Sequence, residues 1–310
     1  MTGLGAELPP MADGLCYEPT LPLPYYSDGT VTLYHSRMQD VVPLLDRVDC
    51  IVTDPPYGET SLAWDRWPSG WPALVAPLTS SMWCFGSMRM FLDRRDEFAG
   101  WKFAQDIVWE KHNGAGPGQP DRFYRVHEHA AHWYLGAWGS LHTGQLRLTH
   151  VGPLRASTHN RAGTPHRGSM PAVDWHDDGL RAVRSVLRVH AMHGHALHPT
   201  EKPTGILEPL IAYACPPGGT VLDVFAGSGS TLDAARRLGR KAIGIEASEE
   251  YAEVIATRLS QGSLQFGEEQ EIEKTAGAEL LVGGRVTRLA DRDEVAPSVG
   301  LFPTLEVPDR

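Results

Sequence analysis

Residues 220–246 read TVLDVFAGSGSTLDAARRLGRKAIGIE, and they carry the clearest secondary-structure pattern of the chain. It predicts an apolar strand over Thr220–Phe225, a glycine-containing turn, a helix over Thr231–Leu238 and a second strand over Lys241–Glu246. A further helix is predicted over Glu249–Leu259. Two strands joined by a helix run parallel, and helices then cover the faces of their sheet. The chain is therefore predicted to be an α/β protein with a mostly parallel, twisted, Rossmann-like sheet.

The turn of this unit is a candidate cofactor site, because open α/β sheets bind ligands beyond the carboxyl ends of their strands. Gly227 and Gly229 allow a tight turn and a close approach of a ligand, while the next helix offers free N–H groups. Glu246 ends the second strand, where its carboxylate can accept hydrogen bonds from two ribose hydroxyls. The turn is shorter than a dinucleotide fingerprint, which indicates an adenosine-containing cofactor without a pyrophosphate. A purely structural turn is the alternative interpretation of this motif taken alone.

A second motif, Asp54-Pro55-Pro56-Tyr57, directly follows an apolar strand predicted over Asp49–Thr53. The Asp54 carboxylate and the Pro55 carbonyl can each accept one hydrogen from a planar amine, which points the nitrogen lone pair at an electrophile. The Tyr57 ring can stack on the plane that carries the amine. Such an amine needs alignment more than a general base if the group that it attacks is already electrophilic. The alternatives for this motif alone are a turn or a polyproline ligand.

The order of the two motifs resembles that of the amino-directed DNA methyltransferases of the permuted beta group. In that group the catalytic motif comes first, a target-recognition region second and the cofactor motif last. Here residues 54–57 precede a basic insertion and the turn Phe225-Ala226-Gly227-Ser228-Gly229. The resemblance covers about residues 30–261. Three further stretches match the group: Arg122-Phe123 with His127-Glu128 after Trp109-Glu110-Lys111, then Arg184-Ser185-Val186, and His198-Pro199-Thr200-Glu201-Lys202-Pro203.

The resemblance implies transfer of a methyl group from S-adenosylmethionine to N6 of adenine in duplex DNA, after the base has flipped out of the helix. It implies that Thr200 and Lys202 lie near the methionine end of the cofactor. The catalytic residues would be Asp54, Pro55, Pro56 and Tyr57. The cofactor-binding residues would be Thr200, Lys202, Asp223, Phe225, Gly227, Ser228, Gly229 and Glu246. Trp64, Trp67 and Trp71 are expected to line the base pocket, to cover it as a lid or to pack in the core.

Three other functions share parts of this pattern. N4 of cytosine presents the same geometry to Asp54, although in the family aspartate at this position is associated with adenine and serine with cytosine. RNA and protein-glutamine methyltransferases also use a Pro-Pro-Tyr motif, but usually in the reverse order. A DNA- or cofactor-binding protein without catalysis is the third alternative; Ser36, where many relatives have an aspartate, supports it, and the intact motif at 54–57 argues against it. Two milder departures are Val224 for a frequent proline and Ser230 for a frequent threonine.

Charge is distributed unevenly along the chain, whose formal net charge is -10. Residues 140–200 hold seven arginines against three acidic residues, whereas residues 262–310 hold five basic and ten acidic residues. The basic segment is rich in His, Gly, Thr and Pro without a sustained period, so it is predicted to be a loop-rich target-recognition insertion. Because arginine commonly reads guanine in the major groove, the candidate DNA contacts are Arg147, Arg155, Arg161 and Arg167. An ordinary solvated face is the alternative.

These patterns predict five segments along the chain. They are an N-terminal arm (1–27), a catalytic half (28–139), the target-recognition insertion (140–196), a cofactor-binding half (197–262) and an acidic tail (263–310). Double-stranded DNA is the expected partner, and a homodimer and a cognate restriction endonuclease are further candidates by analogy with the group.

Membranes, disulfides and metals are not expected. The chain contains no apolar stretch of the ~18 residues that span a bilayer, so a cytoplasmic protein without membrane contact is predicted. The four cysteines are far apart and are predicted to be core thiols. The histidines at 190, 193, 195 and 198 lack nearby cysteines, so no zinc site is predicted.

Overall fold

The computed structural model describes residues 20–111, 121–149, 180–189, 201–265, 279–282 and 285–288. Its strands are β1 (Tyr26–Ser27), β2 (Val31–His35), β3 (Cys50–Thr53), β4 (Ser81–Gly86), β5 (Lys102–Glu110), β6 (His127–Tyr134), β7 (Arg147–Thr149), β8 (Leu180–Ala182), β9 (Val186–Arg188), β10 (Thr220–Asp223), β11 (Lys241–Glu246), β12 (Glu279–Val282) and β13 (Arg285–Arg288). Its α-helices are α1 (Met38–Val41), α2 (Trp71–Val75), α3 (Met88–Asp93), α4 (Thr204–Ala214), α5 (Ser230–Arg237) and α6 (Glu249–Gln265). Short 3₁₀ turns cover Val42–Leu44, Arg95–Phe98 and Trp138–Ser140.

The main sheet has nine strands in the order β1-β2-β11-β10-β3-β4-β6-β5-β9. The five strands from β2 to β4 pair in parallel, while β6 runs antiparallel to both of its neighbours. From β3 the chain continues outward to β4, and from β10 it continues in the other direction to β11. Strands β3 and β10 are neighbours, so the gap between their carboxyl ends is the switch point at which such sheets bind ligands. The predicted mostly parallel α/β architecture is confirmed.

The apolar core lies on both faces of the sheet, which is why the central strands are apolar at successive positions rather than at alternate ones. In β3 the side chains of Cys50 and Val52 join the cluster beneath α4, α5 and α6. Ile51 points to the opposite face and packs with residues of α1 and α2. The result is a three-layer arrangement in which helices cover both faces of the parallel strands.

The predicted βαβα unit is present with small shifts at its ends. Strand β11 has its predicted bounds, β10 ends at Asp223 instead of Phe225, and α6 continues to Gln265. Helix α4 and strand β6 are among the elements that were not predicted. Helix α4 contains Gly205 and Pro209, which weaken a helical pattern, and the sequence of β6, HEHAAHWY, does not alternate between polar and apolar residues.

A second, four-stranded sheet has the order β13-β12-β7-β8. Strands β7 and β8 lie within the predicted insertion, and β12 and β13 lie within the predicted acidic tail. Segments 140–196 and 263–310 therefore contribute to one antiparallel sheet. At the other end of the chain, β1 falls inside the predicted arm and pairs with β2.

His132 on β6 gives the fold a testable dependence on pH. Its ring stacks on Trp83 at 4.7 Å, its Nε2 lies 2.9 Å from Ser81 Oγ, and burial lowers its pKa to about 4. A folded-state pKa below the unfolded value of about 6.5 means that stability is complete above that value and falls as the pH drops towards 4. We expect His132 to account for a loss of about 2 kcal/mol between pH 7 and pH 5.

The measurement is urea unfolding of the wild type and of His132→Phe at both pH values. The variant should lose less stability on acidification than the wild type, whereas His127→Phe, a change at an exposed ring of the same strand, should behave as the wild type does. Equal acid sensitivity of the wild type and His132→Phe would show that His132 does not carry the effect.

Candidate active site

The two motifs predicted from the sequence begin at neighbouring strand ends. Thr53, the last residue of β3, donates a hydrogen bond from Oγ1 to Asp223 Oδ1 at the end of β10, over 2.7 Å. Both side chains are buried, and burial raises the pKa of Asp223 to about 6. Asp54 follows Thr53 directly. The motif at 54–57 and the turn at 225–229 therefore open onto the same edge of the sheet, at its switch point.

Both carboxylate oxygens of Asp54 have partners. Oδ1 accepts a hydrogen bond from the Tyr57 hydroxyl at 2.7 Å, and Oδ2 accepts one from the Lys202 ammonium. The same ammonium lies 3.4 Å from Glu128 Oε2, and Lys111 donates to Glu128 Oε1. Two carboxylates and two ammonium groups thus form one connected cluster, to which Tyr57 adds a hydroxyl.

The cluster changes the protonation of its members. Burial raises the pKa of Asp54, and Lys202 opposes this shift. Burial would also raise the pKa of Glu128, but Lys202 and Lys111 outweigh it and lower the pKa to about 2. Burial would lower the pKa of Lys202, yet Asp54 and Glu128 raise it overall. Burial together with the nearby Asp54 carboxylate raises the pKa of Tyr57 well above its usual value, so the phenol remains a hydrogen-bond donor.

A tight loop follows Tyr57. The buried Asp65 carboxylate accepts hydrogen bonds from the backbone N–H groups of Gly58, Glu59 and Thr60, over 2.7, 3.0 and 2.7 Å respectively. These three bonds fix the backbone beyond Tyr57.

The three nearby tryptophans differ in burial. Trp71 is fully buried and packs edge-on against Phe225 at 5.5 Å. Trp67 is half-buried and lies in the same aromatic cluster. Trp64 is 39% exposed. Core packing is therefore the role of Trp71, and Trp64 is the one of the three that lies at the surface.

The cofactor turn depends on its glycines. Gly227 has φ +53° and Gly229, the residue that precedes α5, has φ +76°. A Cβ added at Gly229 would lie 2.8 Å from Ile255 Cγ2, so α6 packs too closely for any side chain there. A Cβ at Gly227 would approach nothing more closely than the Phe225 carbonyl oxygen at 3.8 Å, so the space beside the turn is open.

These residues fit an adenosyl cofactor. The Glu246 carboxylate accepts hydrogen bonds from the Gly227 and Ser248 N–H groups at 2.8 and 2.9 Å, which fixes it beside the turn. Each oxygen keeps a further lone pair, so a ribose diol can still bind. Ser36 directly follows β2 and lies next to Glu246, whose carbonyl accepts the Ser36 N–H at 3.0 Å. The substituted Ser36 thus lies at the border of the predicted cofactor site.

A buried ion pair that was not predicted from the sequence, Glu201–Arg258, stabilises the cofactor turn. Glu201 Oε1 accepts a hydrogen bond from Arg258 Nη1 on α6 at 2.6 Å and another from Ser230 Oγ at 3.2 Å. Arg258 Nη1 also donates to the Ser228 carbonyl at 3.2 Å. The segment that leads to Lys202 is thereby attached to the cofactor turn and to α6.

The structure brings together most of the predicted catalytic and cofactor residues. Asp54, Tyr57 and Lys202 are in contact. The adjoining turn consists of Phe225, Gly227, Ser228 and Gly229, and Asp223 and Glu246 lie beside it at the ends of β10 and β11. Pro55 is buried and Pro56 is half-buried. Thr200, Arg155, Arg161 and Arg167 lie outside the described residues. Arg147 lies on β7, in the second sheet.

Glu128, Lys111, Glu201 and Arg258 were not among the predicted site residues. Glu128 and Glu201 fall inside stretches on which the sequence resemblance was based, and Lys111 ends another, which is the signal that could have singled them out.

Neither a metal cluster nor a membrane helix is found in the described part of the chain. Its His, Cys, Asp and Glu residues form no group of three that could hold a metal ion. The four histidines considered for zinc lie outside it. None of the described helices has the length and apolar character to cross a membrane. Cys50, Cys84 and Cys215 are buried free thiols, as predicted.

This fold and site define a class of protein: an α/β enzyme with a carboxylate-based amine site beside a turn that suits an adenosyl cofactor. Residues 48–257 match the family model N6_N4_Mtase, whose description is DNA methylase. The match covers about two thirds of the chain. The chain therefore belongs to this family of N6-adenine and N4-cytosine DNA methyltransferases.

Relatives with known names agree with this assignment. The chain is 27% identical over 278 residues to type II methyltransferase M2.LlaDCHI of Lactococcus lactis subsp. cremoris, a match that covers 77% of this chain and 93% of the relative. It is 26% identical over 267 residues to type II methyltransferase M2.DpnII of Streptococcus pneumoniae, which covers 76% and 92%. The solved complex of M1.HpyAVI with SAM has a TM-score of 0.51 at 24% identity, covers 74% of this chain and 99% of its own, and shares the fold.

Proposed function

We propose that this DNA methyltransferase transfers the methyl group of S-adenosylmethionine to N6 of adenine in duplex DNA, with Asp54, Pro55, Pro56 and Tyr57 as its catalytic residues. The observation that carries the proposal is the placement of Asp54. Its carboxylate is fixed by Tyr57 and Lys202, and the buried bond from Thr53 to Asp223 joins its strand to the strand that leads into the cofactor turn.

The chemistry follows from this arrangement. The cofactor supplies an electrophilic sulfonium methyl group. Asp54 accepts a hydrogen bond from the exocyclic amine, which directs the nitrogen lone pair away from the ring. Tyr57 lies beside Asp54 and provides a face on which the flipped base can stack, which offsets part of the few kcal/mol that unstacking costs. The proton released by the methylated nitrogen can pass to Asp54. Alignment, and not prior deprotonation, is the main contribution of the protein.

The cofactor-binding set is Thr200, Lys202, Asp223, Phe225, Gly227, Ser228, Gly229 and Glu246. The open space beside Gly227 and the fixed Glu246 carboxylate support it. DNA contacts are proposed for the arginines of the insertion, Arg147, Arg155, Arg161 and Arg167. The five-segment division of the chain, a cytoplasmic location, a homodimer and a cognate endonuclease are proposed on the sequence pattern and on analogy with the group.

The test is incubation of the purified protein with radiolabelled S-adenosylmethionine and unmethylated, amplified mixed-sequence DNA, followed by nucleoside analysis. Label in N6-methyladenine is expected. A matched DNA amplified with N6-methyl-dATP in place of dATP should take up no label. Label in N4-methylcytosine that persists on this matched DNA would move the target to cytosine. Label on the protein alone, or none at all, would overturn the proposal.

A further inference from the structure

Lys202 is enclosed in a way that leaves its charged group facing carboxylates. Its side chain is only 8% exposed, and its ammonium bonds to Asp54 Oδ2 and lies 3.4 Å from Glu128 Oε2. Its remaining surroundings include the rings of Phe85 and Tyr57, with centroids at 5.2 and 6.0 Å. The ammonium is thus directed at the amine site rather than at the cofactor turn.

Glu128 holds Lys202 in this place and is itself held by Lys111. The Lys111 ammonium bonds to the second oxygen of Glu128 and lies 4.7 Å from the centre of the Trp109 ring. The Lys111 N–H also donates to the Val126 carbonyl at 2.7 Å, which joins the end of β5 to the start of β6. Lys111, Glu128 and Lys202 therefore form a row of alternating charges that leads from the end of β5 to Asp54.

We propose that Lys202 is a positioning residue for methyl transfer: held by Glu128, it keeps the Asp54 carboxylate ionised and oriented towards the amine. This inference rests on the proposed function, and it assigns Lys202 a different role from the contact with the cofactor that the family resemblance implies.

The groups around Asp54 explain why one cation matters so much. Asp54 faces Tyr57 on its own loop, Glu128 on β6, Asp223 on β10, Cys84 on β4 and Lys202 ahead of α4. Among these described groups, Lys202 alone carries a positive charge. Burial and the neighbouring carboxylates favour protonated Asp54, which would present a donor to an amine that needs an acceptor. An opposite charge at hydrogen-bond distance opposes such a tendency, typically by about one to three pKa units.

The test uses variants that are expected to shift the pH profile of kcat in opposite directions. Lys202→Met should lower kcat about 10- to 100-fold and move the acid limb of the pH profile of kcat to higher pH by about one unit or more. Lys202→Arg keeps the charge and should restore the position of that limb. Glu128→Gln removes a negative charge that disfavours ionised Asp54, while its amide oxygen can still accept a hydrogen bond from Lys202, so it should move the limb downward. Lys102→Met, at a lysine whose bond to the Gly136 carbonyl is exposed, is the matched control and should change nothing.

A cofactor contact predicts a different pattern. It would raise the Kd for S-adenosylmethionine, measured by equilibrium dialysis, and leave the acid limb in place for Lys202→Met and Glu128→Gln alike. That result would overturn the inference. Urea unfolding of each variant checks that it folds. If Lys202→Met does not fold, the shift of the acid limb in Glu128→Gln still tests the inference.

A second readout does not depend on activity. In protein labelled with ¹³C at aspartate carboxyl groups, the Asp54 resonance, assigned by its loss in Asp54→Asn, should titrate at higher pH in Lys202→Met than in the wild type. An unchanged titration would overturn the inference even in an active enzyme. If the wild type methylates nothing but the titration shifts, the proposed function fails while the effect of Lys202 on Asp54 stands.

Discussion

Asp54→Asn is expected to lower the rate of methyl transfer at saturating S-adenosylmethionine about 10³-fold, in line with the loss of one preorganised polar group at a reacting centre. Lys202 lies on one side of the residue as an obligate donor, so the new amide would turn its oxygen towards that ammonium. Its NH₂ group would then face Tyr57 and the incoming amine. A donor would replace the acceptor that the amine requires, with almost no change in shape.

Single-turnover transfer of label to DNA measures this effect, and equilibrium dialysis of S-adenosylmethionine separates it from binding. The Kd should change less than about threefold, because a group that acts on the amine in the transition state mainly affects kcat. Asp93→Asn, at an exposed aspartate on α3, is the matched control and should retain full activity. An Asp54→Asn variant with more than about a tenth of the wild-type rate would remove Asp54 from the catalytic role.

The parallel core was predictable because its signals are local. Thr220–Phe225 and Lys241–Glu246 are apolar runs separated by a glycine turn and an amphipathic helix, and few arrangements other than a parallel pair satisfy that pattern. Helix α4 and strand β6 were missed for the converse reason. Their identity depends on what they pack against: α4 includes Pro209 yet has no exposed residue, and β6 is fixed by pairing with β4 and β5.

The site was predictable in its motifs and not in its connections. Asp54, Tyr57 and the glycine turn are recognisable from neighbouring residues in the chain. The bond from Lys202 to Asp54 joins residues 148 positions apart, and the bond from Thr53 to Asp223 joins residues 170 apart. Which charged residue pairs with which depends on the strand order, and that order follows from tertiary packing rather than from local pattern. The partners of Asp54 therefore emerged only from the structure.

Arg258→Met is expected to lower the free energy of unfolding by about 3 kcal/mol, because removal of one partner leaves the other charge of a buried pair poorly compensated. The side chain of Glu201 is 2% exposed and that of Arg258 is 17% exposed, so water can do little to replace the guanidinium. The variant also loses the hydrogen bond from Arg258 to the Ser228 carbonyl, which helps to hold the cofactor turn. Affinity for S-adenosylmethionine should fall along with stability, whereas a purely structural pair remote from the cofactor would affect stability alone.

Urea unfolding and equilibrium dialysis measure the two effects, and two variants interpret them. Arg89→Met breaks an ion pair whose side chains are 78% and 63% exposed, and it should cost less than about 0.5 kcal/mol. In the double variant Glu201→Gln/Arg258→Met the buried carboxylate is gone, while an amide oxygen can still accept the hydrogen bond from Ser230. More than half of the lost stability should then return, as a strong coupling between the two positions requires. Additive losses in the double variant would instead mean that the two side chains stabilise the turn independently, and that the buried charge is not the reason why Glu201 needs Arg258.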